Sequence, residues 1–156
     1  MTEESRDTPG VIAPPPLIFA LIWLAAWLVH LKVPVHLLPA GWTRPLGGAI
    51  AILGVALAIW GRTAMSRVGT DPNPYKPSTA IAQGGPFRFT RNPLYLSMTI
   101  FYVGLTLLAN AVWPLIVLPV VLVLVQRGVI EREERYLERR FGQAYRDYRA
   151  RVRRWL

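Results

Sequence analysis

Residues 93–125 read PLYLSMTIFYVGLTLLANAVWPLIVLPVVLVLV and contain no charged side chain. Only residues 110–111 separate the apolar run that precedes them from the apolar run that follows. So short a break predicts a tight helical hairpin that turns near the face of a membrane, with Pro114 at a helix start and Pro119 at a kink. The stretch therefore indicates two adjacent, antiparallel membrane helices.

Two more apolar runs come earlier in the chain, at residues 17–33 and 46–65. The first is just long enough to cross a hydrocarbon core of about 30 Å. The second contains Gly54 and Gly61, seven residues apart, which give one helix face the small residues that let membrane helices approach closely. We therefore expect one all-α domain over 1–156, with about four spans (17–33, 46–65, 93–109 and 112–130), a loop 67–92 and an amphipathic tail 131–156.

The composition excludes several classes of site. The 156 residues are 53% hydrophobic and include no cysteine, which rules out thiolate metal sites, iron–sulfur clusters and disulfides. No G-x-G-x-x-G follows a strand-like run, so a doubly wound dinucleotide fold is also excluded. With His30 and His36 as the only imidazoles, we expect no metal centre.

The distribution of basic residues predicts the topology. Eighteen Lys and Arg stand against nine Asp and Glu, and ten of the arginines lie in residues 126–156. Placing the N-terminus, residues 62–93 and the tail on one side puts 16 basic residues there and two on the other. By the positive-inside rule the side with 16 is the cytoplasmic side. Glu3, Glu4 and Asp7 argue against a signal peptide. The expected location is a bacterial inner membrane with both termini cytoplasmic.

The tail has a helical period of its own. Its apolar and aromatic residues recur at intervals of three, four and seven, with Arg and Glu between them, and Gly142 is a predicted break. Such a helix can lie at the interface with its arginines on anionic lipid. Nucleic acid is not an expected partner, because the tail also contains acidic residues and adjoins a membrane span.

The loop before the third span ends in GGPFRFTRNPLY, residues 84–95. Gly85 permits unusual backbone dihedrals, and Asn92 and Pro93 have the types preferred at the N-cap and first position of a helix. Free backbone N–H groups at that helix start, beside Arg91, are suited to a carboxylate or phosphate. A capped helix with an interfacial arginine explains the same residues.

A second set of polar residues stands where the fourth span ends. Arg127 and Glu131 are four residues apart, and Glu134 and Glu138 continue the same helical face. Ion pairs on a solvated helix are one explanation. An anion-binding helix start together with carboxylates at a helix end would instead suit a zwitterion, such as the methionine moiety of S-adenosylmethionine.

The two motifs together resemble a known family. GPFRFTRNPLY, followed after two apolar spans by R-x-x-x-E-x-E-E-x-x-L and FGQAYRDYRARVRRW, is similar to the integral-membrane methyltransferases of the isoprenylcysteine carboxyl methyltransferase and phospholipid methyltransferase group. The resemblance covers residues 75–156. It implies an S-adenosylmethionine pocket formed by the loop, the last two membrane helices and the tail.

The resemblance also implies roles for individual residues. Arg127 matches the substrate-facing arginine, and with Asn92 it would act at the reacting centre. The family's R-H-P-x-Y reads R-N-P-L-Y here, so Asn92 cannot titrate and catalysis is expected to depend on alignment and desolvation. The implied cofactor contacts are Thr79, Ala80, Ile81 and Ala82 in the loop, Phe87, the helix-start residues Asn92, Pro93, Leu94 and Tyr95, the glutamate Glu131, and Glu134 of the paired acids Glu133-Glu134.

The sequence thus predicts methyl transfer from S-adenosylmethionine to a lipid-like or lipidated amphiphile that enters from the bilayer, by carboxylate O-methylation or amine N-methylation. One alternative is an NADPH-dependent membrane reductase of related architecture. Another is a small four-span transporter, although the four predicted spans contain no Asp or Glu that could couple ion movement.

Overall fold

The computed structural model describes residues 8–156, and within them the chain is all-helical, which confirms the predicted fold class. The acidic residues Glu3, Glu4 and Asp7, on which the prediction against a signal peptide rests, lie outside the described residues. The elements are α1 (Pro15–Lys32), α2 (Ala40–Arg67), a 3₁₀ helix (Gly85–Arg88), α3 (Pro93–Leu108), α4 (Val112–Val125), a π-helical turn (Gln126–Ile130), α5 (Glu131–Phe141) and α6 (Gln143–Arg151).

Three helices are long and apolar enough to cross a membrane: Pro15–Lys32, Gly41–Arg67 and the continuous helix Val112–Phe141. The shorter apolar helix α3 has 16 residues and is about 24 Å long. The helix Val112–Phe141 has 30 residues and measures about 45 Å, so it is longer than the hydrocarbon core is thick. Since its first charged residue is Arg127, α5 lies beyond the membrane-spanning part.

Helix α2 packs against α3 through small residues. A Cβ placed on Gly54 would lie 2.7 Å from the backbone nitrogen of Phe101, and one on Gly104 would lie 2.5 Å from that of Ala51. Gly61 faces the side chain of Leu94 in the same interface. Close backbone approach of this kind stabilises helix pairs in a solvent as apolar as the side chains themselves. The face of α2 that was predicted from Gly54 and Gly61 to allow close helix approach is therefore its contact surface with α3.

The predicted hairpin is present between α3 and α4. Asn110 turns the chain with φ 48°, and its Oδ1 accepts hydrogen bonds from the backbone N–H groups of Leu37 (2.9 Å) and Leu38 (3.1 Å). The N–H of Val112 donates to the carbonyl of Val35 at 3.1 Å. These bonds place the α1–α2 and α3–α4 connections at one end of the bundle. The loop 68–92 and the tail therefore meet at the opposite end.

The tail divides where the sequence predicts. Gly142 has φ 54°, a left-handed value that favours glycine, and it separates α5 from α6. At the other end of α5 the π-helical turn joins α4 without a break. The segment before α1 packs on this turn, since the N–H of Ile12 donates to the carbonyl of Gly128 at 3.2 Å. The segment before α1 and the continuous helix Val112–Phe141 thus meet at the turn.

Candidate cofactor-binding cleft

A cleft opens at the end of the bundle where the loop 68–92 meets the tail. It holds about 110 Å³ of space accessible to water-sized molecules, and about 810 Å³ of empty volume when its open mouth is included. Its walls are the loop, the 3₁₀ helix, the start of α3, and helices α5 and α6. Ten of the residues singled out from the sequence line it: Ala80, Ile81, Ala82, Phe87, Arg91, Asn92, Pro93, Leu94, Tyr95 and Glu134.

Two loop residues singled out from the sequence have structural contacts instead of a place in the cleft lining. The hydroxyl of Thr79 donates to the carbonyl of Gly69 at 2.7 Å and lies 2.9 Å from the hydroxyl of Thr70. Gly85 has φ 59°, and a Cβ there would lie 3.1 Å from Nε1 of Trp60. Both residues therefore shape the loop that forms one wall of the cleft.

The π-helical turn changes the expected relation between Arg127 and Glu131. A π turn places an extra residue between successive turns, so the four-residue spacing that put these two side chains on one face does not hold here. Gln126 lies next to Glu131 instead, with 3.5 Å between Nε2 and Oε1. Arg127 is exposed on the outside of the turn. Neither Arg127 nor Glu131 lines the cleft, and Glu131 lies 3.7 Å from Arg154.

Asn92 is the residue before α3, but its side chain does not cap the helix. Its Nδ2 donates to the carbonyl of Arg154 at 2.8 Å, 62 residues away along the chain. The prediction of a side-chain cap is therefore wrong, because a backbone carbonyl of the C-terminal segment takes the amide. Asn92 is buried, and it also lines the cleft.

Glu134 is a buried carboxylate with two arginine partners. The guanidinium of Arg154 donates to both of its oxygens, at 2.7 and 3.1 Å, and Nη2 of Arg91 lies 3.2 Å away. The side chain of Arg91 is only 9% exposed, and its Nε and Nη1 are shielded from solvent with no hydrogen-bond partner among residues 8–156. Buried N–H groups of this kind carry a desolvation cost unless they are bonded. Arg91 thus has donors available to a group in the cleft.

Glu133 is the second carboxylate of the cleft. Its Oε1 accepts a 2.7 Å hydrogen bond from the hydroxyl of Tyr95, and no described lysine or arginine forms an ion pair with it. Burial raises the pKa of Glu133 to about 7; the Tyr95 hydrogen bond opposes this shift, and the negative charge of Glu134 adds to it. A cation in the cleft would stabilise the ionised form.

Aromatic rings line much of the remaining wall. Tyr136, Tyr145 and Tyr148 are buried there, and the sequence did not single them out as site residues. The hydroxyl of Tyr136 accepts from the N–H of Ser78 at 3.0 Å, and that of Tyr148 donates to the carbonyl of Phe87 at 2.8 Å. In the sequence, the only signal for Tyr145 and Tyr148 is that they belong to the apolar and aromatic stripe of the tail. Within that stripe, Tyr145 and Tyr148 line the cleft, and Tyr148 is bonded to the 3₁₀ helix of the loop.

A family model for phospholipid methyltransferases matches residues 42–144, about two thirds of the chain. The chain belongs to the phospholipid methyltransferase family. It is also 45% identical over 64 residues to an uncharacterized protein of Haemophilus influenzae, an alignment that covers 40% of this chain and the whole of that protein. No solved structure matches the chain.

Membership of the phospholipid methyltransferase family indicates a methyltransferase for lipid-like acceptors and agrees with a membrane helix bundle. The matched residues run from the start of α2 into α6 and include the loop, Arg91 and both cleft glutamates. Tyr145, Tyr148 and Arg154 lie beyond the match. The C-terminal wall of the cleft is therefore described by the structure alone.

Proposed function

We propose that the protein is an S-adenosylmethionine-dependent integral-membrane methyltransferase that binds its cofactor in this cleft. The supporting observation is a pair of side chains that lack partners among the described residues. Arg91 has two shielded nitrogen atoms, Nε and Nη1, without a hydrogen bond, and Glu133 has no cationic partner. The methionine moiety of the cofactor presents a carboxylate and an ammonium group. Its charges complement those of the two side chains.

Arg91 is the proposed partner of the cofactor carboxylate. A guanidinium offers N–H groups in a planar fork that matches a carboxylate, and the low exposure of Arg91 strengthens such a bond. Its contact with Glu134 uses only Nη2, at 3.2 Å, so Nε and Nη1 remain free to donate.

Glu133 is the proposed partner of the cofactor's positive charge. It lines the cleft together with Tyr95 and Tyr136, whose ring faces also attract cations. The family resemblance implies a cofactor contact for Glu131, which lies outside the cleft lining, beside Gln126 and Arg154. The two carboxylates are two residues apart, so matched substitutions can separate the proposals.

Catalysis in this proposal depends on alignment. S-adenosylmethionine bound in the cleft would supply a methyl group on a sulfonium sulfur. The methyl carbon would bond to the oxygen or nitrogen of the acceptor, and the sulfur would leave as a neutral thioether. The apolar residues Ala80, Ile81 and Leu94 exclude water from the cleft, and an amide at Asn92 holds the wall without exchanging protons.

The acceptor is proposed to be an amphiphile whose head group reaches the cleft from the bilayer. Arg127 is exposed at the point where α4 leaves the apolar region, and its guanidinium is suited to a head-group phosphate or carboxylate. Arg127 remains the proposed substrate-binding residue, and it is not assigned to the cofactor site because it does not line the cleft. Both O- and N-methylation are compatible with it.

The proposed location is a bacterial inner membrane, with the cleft and both termini on the cytoplasmic side. The cleft end of the bundle holds the loop 68–92 and the arginine-rich helices α5 and α6. The positive-inside rule favours the cytoplasm for this end, where exposed arginines of the tail can bind anionic lipid.

Labelled methyl transfer tests the proposal. The detergent-solubilised protein is incubated with S-adenosylmethionine labelled in its methyl group and with a bacterial lipid extract, and the label is followed into the organic phase. We expect transfer that an Arg91→Gln variant loses. Release of the label by mild base would identify a methyl ester, whereas base-stable label would identify an N-methyl group. A folded protein that transfers no label to any lipid fraction would contradict the proposal.

A further inference from the structure

The last residues of the chain are bonded to the start of α3. The carbonyl of Arg154 accepts from the hydroxyl of Thr90 at 3.1 Å and from Nδ2 of Asn92 at 2.8 Å. The backbone N–H of Arg91 donates to the carbonyl of Arg153 at 2.9 Å. Three consecutive residues, 90–92, thus hold the C-terminal segment. This segment fixes the position from which the Arg154 side chain reaches the cleft.

The Arg154 side chain supplies most of the charge compensation of Glu134. It donates from Nε and Nη2 to the two carboxylate oxygens, at 3.1 and 2.7 Å, in the bidentate geometry that is strongest for this pair. Its Nη1 lies 3.7 Å from Glu131 as well. Arg154 is about one third exposed, whereas the Glu134 side chain is only 7% exposed. The carboxylate therefore depends on arginine donors in place of water.

This arrangement determines how much of Arg91 is available. Arg91 touches Glu134 with Nη2, at 3.2 Å, while Arg154 makes the forked contact with both oxygens. If Arg154 were removed, Arg91 would be the cation left beside a buried carboxylate. A buried charge without compensation is costly, so Arg91 would be drawn into a fuller pair with Glu134. Its free N–H groups would then be lost to the cleft.

We propose that Arg154 is a positioning residue, which neutralises Glu134 so that Arg91 stays free to bind the carboxylate of the cofactor. The inference rests on the proposed function, since it assumes that the ligand carries a carboxylate at Arg91. It also assigns Asn92 a role that neither a base nor a helix cap provides. The Asn92 amide anchors the backbone carbonyl of Arg154 and so aligns its guanidinium with Glu134.

Two nucleosides separate this role from a general loss of structure. S-adenosylhomocysteine has the amino-acid moiety, and 5′-methylthioadenosine lacks it but keeps the adenosine and the sulfur. Binding of each is measured by calorimetry on the detergent-solubilised full chain. We expect Arg154→Gln to weaken S-adenosylhomocysteine binding tenfold or more and to leave 5′-methylthioadenosine binding within twofold. Arg153→Ala is the matched control, because Arg153 is adjacent and its side chain is exposed.

A double variant tests the mechanism itself. Glu134→Gln combined with Arg154→Gln removes the carboxylate that would capture Arg91, so S-adenosylhomocysteine affinity should recover at least fivefold over Arg154→Gln alone. Unchanged affinity in Arg154→Gln, equal loss for both nucleosides, or no recovery in the double variant would each overturn the proposal. If Arg154→Gln does not fold, Arg154→Lys gives the same comparison with the charge kept and the fork removed. A wild-type protein that binds neither nucleoside would contradict the proposed function instead.

Discussion

The charge state of Glu133 gives a prediction whose sign and size both follow from the structure. Burial raises the pKa of this carboxyl to about 7, so in the free protein it is roughly one-tenth ionised at pH 6 and nine-tenths ionised at pH 8. If the ionised form binds the ammonium group of the cofactor, the dissociation constant of S-adenosylhomocysteine should fall about tenfold between these two pH values. Glu133→Gln should abolish that dependence.

The structure also bounds how much S-adenosylhomocysteine affinity Glu133→Gln should lose at pH 8. A charge-assisted hydrogen bond contributes about 1.5–3 kcal/mol, which corresponds to roughly one to two decades in dissociation constant. Calorimetry at pH 6, 7 and 8 on the wild type, Glu133→Gln and Glu131→Gln measures both effects. Glu138→Gln is the control, because Glu138 lies on the same helix but pairs with Arg149 at the surface. A pH dependence that persists in Glu133→Gln would refute the assignment, and loss confined to Glu131→Gln would transfer it to that residue.

The same carboxyl affects stability with a definite sign. Its pKa is higher in the folded protein, about 7, than the ordinary value of 4.5, so the folded state binds more protons between these two pH values. The contribution of Glu133 to the free energy of unfolding is therefore fully present below pH 4.5 and falls as the pH rises to 7. Glu133→Gln should flatten that part of the stability profile in thermal unfolding.

Three further predictions concern the bundle, its orientation and the acceptor. Gly104→Ala should lower the free energy of unfolding by about 1–3 kcal/mol, because its Cβ would meet backbone atoms of α2. Gly48→Ala is the control: its Cβ would meet nothing within 4 Å, so the free energy of unfolding should change by less than about 0.5 kcal/mol in the same thermal unfolding assay. In intact cells, a cysteine at Leu38 should react with an impermeant maleimide and one at Ala150 should not; the opposite result would reverse the orientation. Arg127→Lys should lower methyl-transfer turnover with unchanged cofactor affinity if the guanidinium holds the acceptor, and a full rate would return Arg127 to a merely interfacial role.

The sequence predicted the elements whose signals are local. The apolar runs set the helices, the break at residues 110–111 set the hairpin, and Gly142 set the break in the tail, because each of these depends on a few neighbouring residues. The loop and the start of α3 were also predicted to form a site, since Arg91, Asn92 and Pro93 have the residue types expected at an anion-binding helix start. Most residues selected from that segment do line the cleft.

The sequence could not predict contacts between distant segments. The cap expected at Asn92 is replaced by a bond to a carbonyl 62 residues away, which local helix rules do not describe. The position predicted for Arg127 assumed α-helical spacing, but residues 126–130 form a π-helical turn, in which that spacing does not hold. The different environments of Glu133 and Glu134 arise because neighbouring helical side chains point about 100° apart, and only tertiary packing decides which one meets the arginines.

Ligand binding to the purified, detergent-solubilised protein tests directly whether the cleft holds S-adenosylmethionine. Calorimetric titration with S-adenosylhomocysteine, and separately with NADPH, compares the proposed methyltransferase with the reductase of related architecture. We expect saturable, one-to-one binding of S-adenosylhomocysteine that Arg91→Gln weakens at least tenfold, and no binding of NADPH. Binding of NADPH by a folded protein that does not bind S-adenosylhomocysteine would contradict this expectation.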